Sequence, residues 1–207
     1  MTSYLLLGEG EALDLAWKIA CEMGLDSARL RLKSADHYNF DLNSLFENYP
    51  PADTQVFVAL DQRAVNYARH KLIAEVRLAG FRLINLISPT AIIDESVRLM
   101  GNVYIGPGCN LAGDCTLGIG SWLERQVTLD RSVRLGPCVT LLTCVELGRE
   151  VNIGRGSTLS SGSFAADGTQ VGRHCEWLLG GRLPNVIPDH SFFDALMPEG
   201  ARILGNA

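Results

Sequence analysis

Written in sixes from Ile87, the chain reads ISPTAI (87–92), IDESVR (93–98), LMGNVY (99–104), IGPGCN (105–110), LAGDCT (111–116), LGIGSW (117–122), LERQVT (123–128), LDRSVR (129–134), LGPCVT (135–140), LLTCVE (141–146), LGREVN (147–152), IGRGST (153–158), LSSGSF (159–164), AADGTQ (165–170) and VGRHCE (171–176). The first place is aliphatic throughout, with Ala165 the one small exception. The fifth is confined to Ala, Val, Cys, Ser or Thr, as at Ala91, Val97, Cys109, Ser121 and Cys175. A period of six fits neither a helix nor a simple two-residue strand alternation. It fits a prism-shaped parallel β-solenoid in which each hexad makes one short strand and one corner, and three hexads close a coil. The aliphatic residue then points to the axis, the small residue packs beside it, and coils stack at strand spacing. Glycine is frequent just after the aliphatic place (Gly106, Gly118, Gly136, Gly148, Gly154, Gly172), and Gly or Asn/Asp is expected to relieve the corner where φ is positive.

This pattern resembles the left-handed hexapeptide-repeat β-helix, an exception to the right-handed crossover rule. Positions three hexads apart stack, so Tyr104, Trp122, Thr140 and Thr158 form one outward column. Two large aromatics on an outward column need a cover; a subunit contact is the expected one, a ligand platform the alternative.

Residues 1–86 have a different texture. Tyr4–Leu7, Ala28–Leu32 and Gln55–Leu60 read as strands. A helix follows the Gly8-Glu9-Gly10-Glu11 loop to about Met23, and another spans about Arg63–Ala79. Arg82–Ile87 reads as a fourth strand running into the first coil, and 33–51 as connection. Alternating strands and helices imply a small parallel sheet, Rossmann-like in class. The division is thus 1–86, a Rossmann-like α/β domain; 87–187, the left-handed β-helix; and 188–207, a tail packing on the last coils. A glycine loop before a helix can cradle a phosphate. Here Leu13 fills the third glycine place, and Glu9 and Glu11 repel an anion, so capping of the helix dipole by these glutamates is an equal reading.

The formal charge of −5 over 207 residues disfavours nucleic acid as a partner. No apolar run is long enough for a membrane helix, and MTSYLLLGEG lacks the features of a signal peptide. A cytoplasmic location is expected. Cys21, Cys109, Cys115, Cys138, Cys144 and Cys175 show no paired zinc-ligand spacing, so no metal is expected and each is read as a small buried hydrophobe.

The junction VFVALDQRAVNYARHKLIAEVRLAGFRLINLISPTAIIDESVRLMGNVYIGPGCNL (56–111) and the tail VIPDHSFFDALMPEGARIL (186–204) resemble the sugar acyltransferases that acetylate amino sugars on nucleotide diphosphates. These include the bacillosamine and perosamine N-acetyltransferases and the sialic-acid O-acetyltransferase-like proteins. The resemblance covers nearly the whole chain. It implies a homotrimer, acetyl-CoA as co-substrate, and acyl transfer to an amino or hydroxyl group of a sugar nucleotide in surface-polysaccharide or glycan biosynthesis. It places a general-base His at Arg131, its acidic neighbour at Ser132 and a second His at Thr140. It also places the coenzyme near Gly180, Gly181, Arg182 and Arg202, and the nucleotide sugar near Gly8, Gly10 and Asp36.

Arg131 cannot act as a base at neutral pH. Two readings stay open: an acyltransferase with a relocated base, in which Arg131 polarises the thioester carbonyl, or a trimeric scaffold of the same fold without catalysis. Other protonatable groups are His174, read as a corner histidine hydrogen-bonded to a neighbour, His190, read as surface, and the outward carboxylates Glu124, Asp130 and Glu146. The stacked Arg131 and Arg149 suit either phosphate binding or ion pairs between coils.

Overall fold

The structure, a computed structural model, describes residues 3–202. The N-terminal unit holds four strands, β1 (Ser3–Gly8), β2 (Ser27–Arg31), β3 (Thr54–Ala59) and β4 (Arg82–Leu83), and three helices, α1 (Gly10–Glu22), α2 (Asn43–Asn48) and α3 (Tyr67–Leu78). The strands form a sheet of order β2-β1-β3-β4, parallel in every pair. Alternation of side chains decides which helix covers which face. Leu6 and Phe57 pack with Leu13, Ala16 and Ile19 of α1. Leu5, Leu7, Val56 and Val58 pack on the other face with Leu45 of α2 and Leu72, Ile73 and Val76 of α3.

Two expectations for this unit change. Helix α2 lies inside the stretch read as connection. The expected strand Arg82–Ile87 is two strands in two sheets: β4 pairs with β3, whereas Leu86–Ile87 pairs with Tyr104–Ile105 of the solenoid. Asn102 takes over where β4 stops. Its side-chain amide donates to the Val58 carbonyl at 2.9 Å and accepts from the Val58 N–H at 2.7 Å, satisfying a backbone pair that would otherwise be buried without partners.

From Leu86 the chain forms a β-solenoid of about six turns, consistent with a left-handed β-helix. Two faces have six strands, and the third has eight with the tail strands included. Every pair along the hexads is parallel with the repeat in register, as in Trp122↔Thr140 and Leu117↔Leu135. The aliphatic column fills one continuous core. Ala165 breaks the series two hexads before Trp177, whose large indole stacks on Leu159 in the same core. The small fifth-place residues spend their polar atoms on corner carbonyls of the following coil: Cys109 Sγ on Glu124 O (2.9 Å), Ser157 Oγ on Gly172 O (2.8 Å) and Cys175 Sγ on Pro188 O (3.0 Å).

The glycines after the aliphatic place have a different cause from the one expected. None of them has positive φ; the left-handed residues lie two places later, at Asp114, Gly120, Gln126, Ser132, Cys138 and their equivalents. A Cβ at Gly118 would stand 2.5 Å from the carbonyl carbon of Gly136, so close stacking of coils is what requires glycine there.

Four cysteines are buried as expected, but Cys21 and Cys144 are exposed. Burial holds the Cys109 thiol up at about 11, which leaves it protonated and inert. No helix among the described residues is long and apolar enough to cross a membrane. Among them, too, no group of three His, Cys, Asp or Glu side chains is placed to hold a metal ion.

Candidate functional site

The outward column is covered by the chain itself. Tyr104 and Trp122 stack with ring centroids 4.0 Å apart and are 3% and 4% exposed. They pack with Leu6, Leu13, Phe57 and Ile19 of the N-terminal unit, which corrects the expected subunit contact. Higher on the same column, Thr140 and Thr158 are buried beneath the start of α3.

At this joint lies the one fully buried charge of the described chain, Arg69, only 1% exposed. Its guanidinium donates to the Thr140 hydroxyl (2.5 Å), the Leu60 carbonyl (3.2 Å) and the Asn66 side-chain oxygen, and lies 5.8 Å from the Trp122 ring. Thr140 donates to the same Asn66 oxygen at 2.7 Å, and the Asn66 amide donates to Gly156 O and Thr158 Oγ1. Burial lowers the Arg69 pKa, while Asp61 works in the opposite direction. Close approach of α3 also requires glycine at two left-handed corners: a Cβ at Gly120 would meet Ile73 at 2.6 Å, and one at Gly156 would meet the Val65 carbonyl at 2.7 Å.

In an open parallel sheet, ligands bind beyond the carboxyl ends of the strands, where the chain order switches direction. In the order β2-β1-β3-β4 that place is between the ends of β1 and β3, at Gly8–Gly10 and Ala59–Asp61. A groove opens there against the solenoid. Its inner hollow, about 270 Å³, is lined by Glu9, Glu11, Asp61, Arg69, Trp122 and Glu124. An adjoining outer hollow of about 290 Å³ shares Glu11, Leu15 and Glu124 and adds Lys18, Arg125 and Thr143.

The glycine loop is built for close packing. A Cβ on Gly8 would fall inside the carbonyl of Ala59, and Gly10 has φ +60° with open space around it. Glu9 is the N-cap residue of α1 and Glu11 lies in its first turn, where the dipole reading put them; Glu9 makes no side-chain cap hydrogen bond, and its carboxylate accepts from Arg63 at 2.9 Å and contacts His37 at 3.1 Å. Burial opposes charge on Asp61, but the hydrogen bonds and charge of Arg63 prevail and hold its pKa below the usual value. Glu124 accepts from the Thr143 hydroxyl at 2.8 Å.

The other candidate residues lie elsewhere. The Asp36 loop reaches the glycine loop through the His37–Glu9 contact, but its carboxylate accepts from the N–H groups of Tyr38 and Asn39 and organises its own turn. These hydrogen bonds hold its pKa well below the carboxylate range. Arg131 and Ser132 are at a different corner of the prism, away from the groove. Arg131 is exposed and Ser132 takes the left-handed place. Its stacked neighbour Arg149 pairs with Asp130 (3.6 Å) and Asp167 (3.4 Å), as the ion-pair reading anticipated. Thr140 is sealed in the joint, so it holds elements together and meets no solvent. Gly180 leads into the short strand Gly181–Arg182 near the end of the solenoid, with Arg182 5.9 Å from the Phe164 ring. Arg202 lies elsewhere, in the strand Ala201–Arg202 opposite Ser191, and donates to the Asp189 carbonyl at 3.0 Å. His174 stacks on His190 at 5.4 Å and its Nδ1 has no hydrogen-bond partner, contrary to the bonded corner histidine expected.

Asp61 and Arg69 were not anticipated. Arg69 had a readable signal: with Leu72, Ile73 and Val76 it lies on the buried stripe of α3, where an arginine needs buried acceptors.

No family model matches the chain, and no curated protein is detectably similar to it in sequence. Solved structures share the architecture. GDP-perosamine N-acetyl transferase from Caulobacter crescentus, solved in complex with CoA and GDP-perosamine, is 23% identical over 93% of each chain, with a TM-score of 0.55. WeeI from Acinetobacter baumannii is 15% identical over 93% of this chain and 96% of that one, with a TM-score of 0.60. The likeness establishes a class by fold: a hexapeptide β-solenoid carrying an N-terminal parallel α/β sheet.

Proposed function

We propose that this protein transfers an acyl group from a coenzyme A thioester, acetyl-CoA in the first instance, to an amino or hydroxyl group of a sugar or nucleotide sugar. The observation that carries this reading is the groove at the switch point of the sheet, walled by the solenoid. It lies within a fold shared along 93% of the chain with a protein solved with CoA and an amino-sugar nucleotide. In this reading residues 1–86 are a Rossmann-like domain, 87–187 a left-handed β-helix, and 188–207 a tail packed on its last coils. Six unpaired cysteines suit a reducing compartment, and we place the protein in the cytoplasm.

The acceptor attacks the thioester carbonyl, the C–S bond breaks, CoA leaves as its thiolate, and the acceptor's proton passes to a base. Glu124, oriented by Thr143 and lining both hollows, is the carboxylate we assign to that proton. Arg131 keeps its charge and donates to the carbonyl oxygen as negative charge develops there. Because Arg131 and the groove occupy different corners, each groove is completed by Arg131 from a neighbouring copy, and the working unit is a homotrimer. Gly180, Gly181, Arg182 and Arg202 are assigned to the coenzyme, and Gly8, Gly10 and the Asp36 loop to the acceptor.

The first test is calorimetric titration of CoA and acetyl-CoA into the purified protein. One saturable site per chain is expected, with Arg131→Ala abolishing release of CoA thiol in the presence of acceptor. No binding at millimolar ligand refutes the reading, and a trimeric scaffold then replaces it. Full turnover by Arg131→Ala refutes the role given to that residue.

A further inference from the structure

We propose that a second cavity, where one corner of the solenoid meets the start of α3, binds a small organic carboxylate with an apolar body. This hollow, about 280 Å³, shares no lining residue with either hollow of the groove. Val65, Pro137 and Cys138 give it an apolar wall, His70, Arg155 and His174 supply the polar groups, and none of its lining residues is an acid. A largely apolar hollow with a few convergent polar groups is the usual form of a small-molecule site. The site does not depend on the acyl-transfer reading.

Charge selects the ligand. Arg155 forms no ion pair among the described residues. Burial and the charges of Arg155, His190 and Arg173 all oppose protonation of His174; only Asp189 favours it, and Arg173 already holds Asp189 at 2.6 Å. Glu176, stacked beyond Thr158, meets the Val65 backbone, where burial raises its pKa and disfavours its charge. The corner therefore keeps an unanswered positive charge. A bare inorganic anion would leave the apolar wall unfilled, whereas a carboxylate on an apolar body meets the Arg155 fork and packs against Val65 and Pro137.

The backbone of that wall is held in an unusual form. Ala64, Val65 and Asn66 have φ of +48°, +49° and +62° in succession. A β-branched residue in the left-handed region is an outlier, and such strain gathers at ligand clamps. The Asn66 amide fixes the turn by donating to Gly156 O at 3.0 Å and Thr158 Oγ1 at 3.1 Å, so the wall stands ready before anything binds.

The test titrates benzoate, its neutral isostere benzamide, and inorganic phosphate into the full-length protein, by calorimetry and by NMR of the four histidine rings. Benzoate is expected to saturate one site per chain, with benzamide and phosphate each about ten-fold weaker or worse. Its binding should shift the His70 and His174 signals and leave His37 in place. Arg155→Gln, at an exposed position, should weaken benzoate roughly ten-fold. Excess CoA should not displace benzoate. Equal binding of benzamide or phosphate, no effect of Arg155→Gln, shifts at His37 instead, displacement by CoA, or no saturation at tens of millimolar benzoate each overturns the site.

Discussion

Replacing Arg69 by alanine tests whether a buried guanidinium locks the N-terminal sheet onto the solenoid. The wild-type side chain bonds Thr140, Leu60 and Asn66 and lies by Trp122. Alanine removes all of these, leaves the Leu60 carbonyl without its donor, takes away the positive charge that favours ionised Asp61, and opens a cavity under Trp122. The cavity and the stranded Leu60 carbonyl together cost about 3–5 kcal/mol. For a chain of this size that lowers Tm by roughly 6–20 °C. Arg69→Met keeps most of the volume and leaves the Thr140–Asn66 hydrogen bond in place, so its cost is about 1–3 kcal/mol, set by the stranded carbonyl. The assay is scanning calorimetry of the three proteins at one concentration and pH, with Trp fluorescence followed in parallel. A loss below about 1 kcal/mol for Arg69→Ala would show that desolvation cancels the network and that apolar packing alone makes the joint.

Three further outcomes follow from the solenoid. Burial, with Arg155, His190 and Arg173, outweighs Asp189 and lowers the His174 pKa from its usual 6.5, so the folded state takes up a proton there less readily than the unfolded chain. Its contribution is fully present above pH 6.5 and is lost as pH falls below 6.5 towards the lowered folded value. His174→Gln should flatten the decline of Tm in that window, and an unchanged slope would refute the part given to His174. Gly118→Ala forces a methyl against the Gly136 backbone at 2.5 Å and should cost about 1–3 kcal/mol. Gly168→Asn, at a left-handed corner with open space, should change stability little, as equilibrium denaturation of both variants will show.

The solenoid was legible because its geometry is local and repeated. Each hexad carries its own inward aliphatic, its own small packing residue and its own corner, so an unbroken register along the chain specifies strand pairing without reference to anything distant. Most strands and helices in the N-terminal third were readable for the same reason, since each follows from apolar runs a few residues long, but the short helix α2 and the division of Arg82–Ile87 between two sheets were not. Glycine was legible as a requirement and misread as to cause: the six-residue pattern marks the place, but whether φ or a neighbouring backbone demands glycine depends on the coil stacked above it.

The joint and the groove depend on residues far apart in the chain. Arg69 meets Thr140 across 71 positions and Asn102 replaces a strand against Val58 across 44, and no spacing rule links such pairs. Stacking Tyr104 on Trp122 follows from the repeat, but what covers them does not, because a face of the prism offers the same surface to its own N-terminal sheet as to another copy. The hexads thus settle the scaffold from sequence, whereas the site arises where two independently readable units are pressed together by burial of a shared apolar surface.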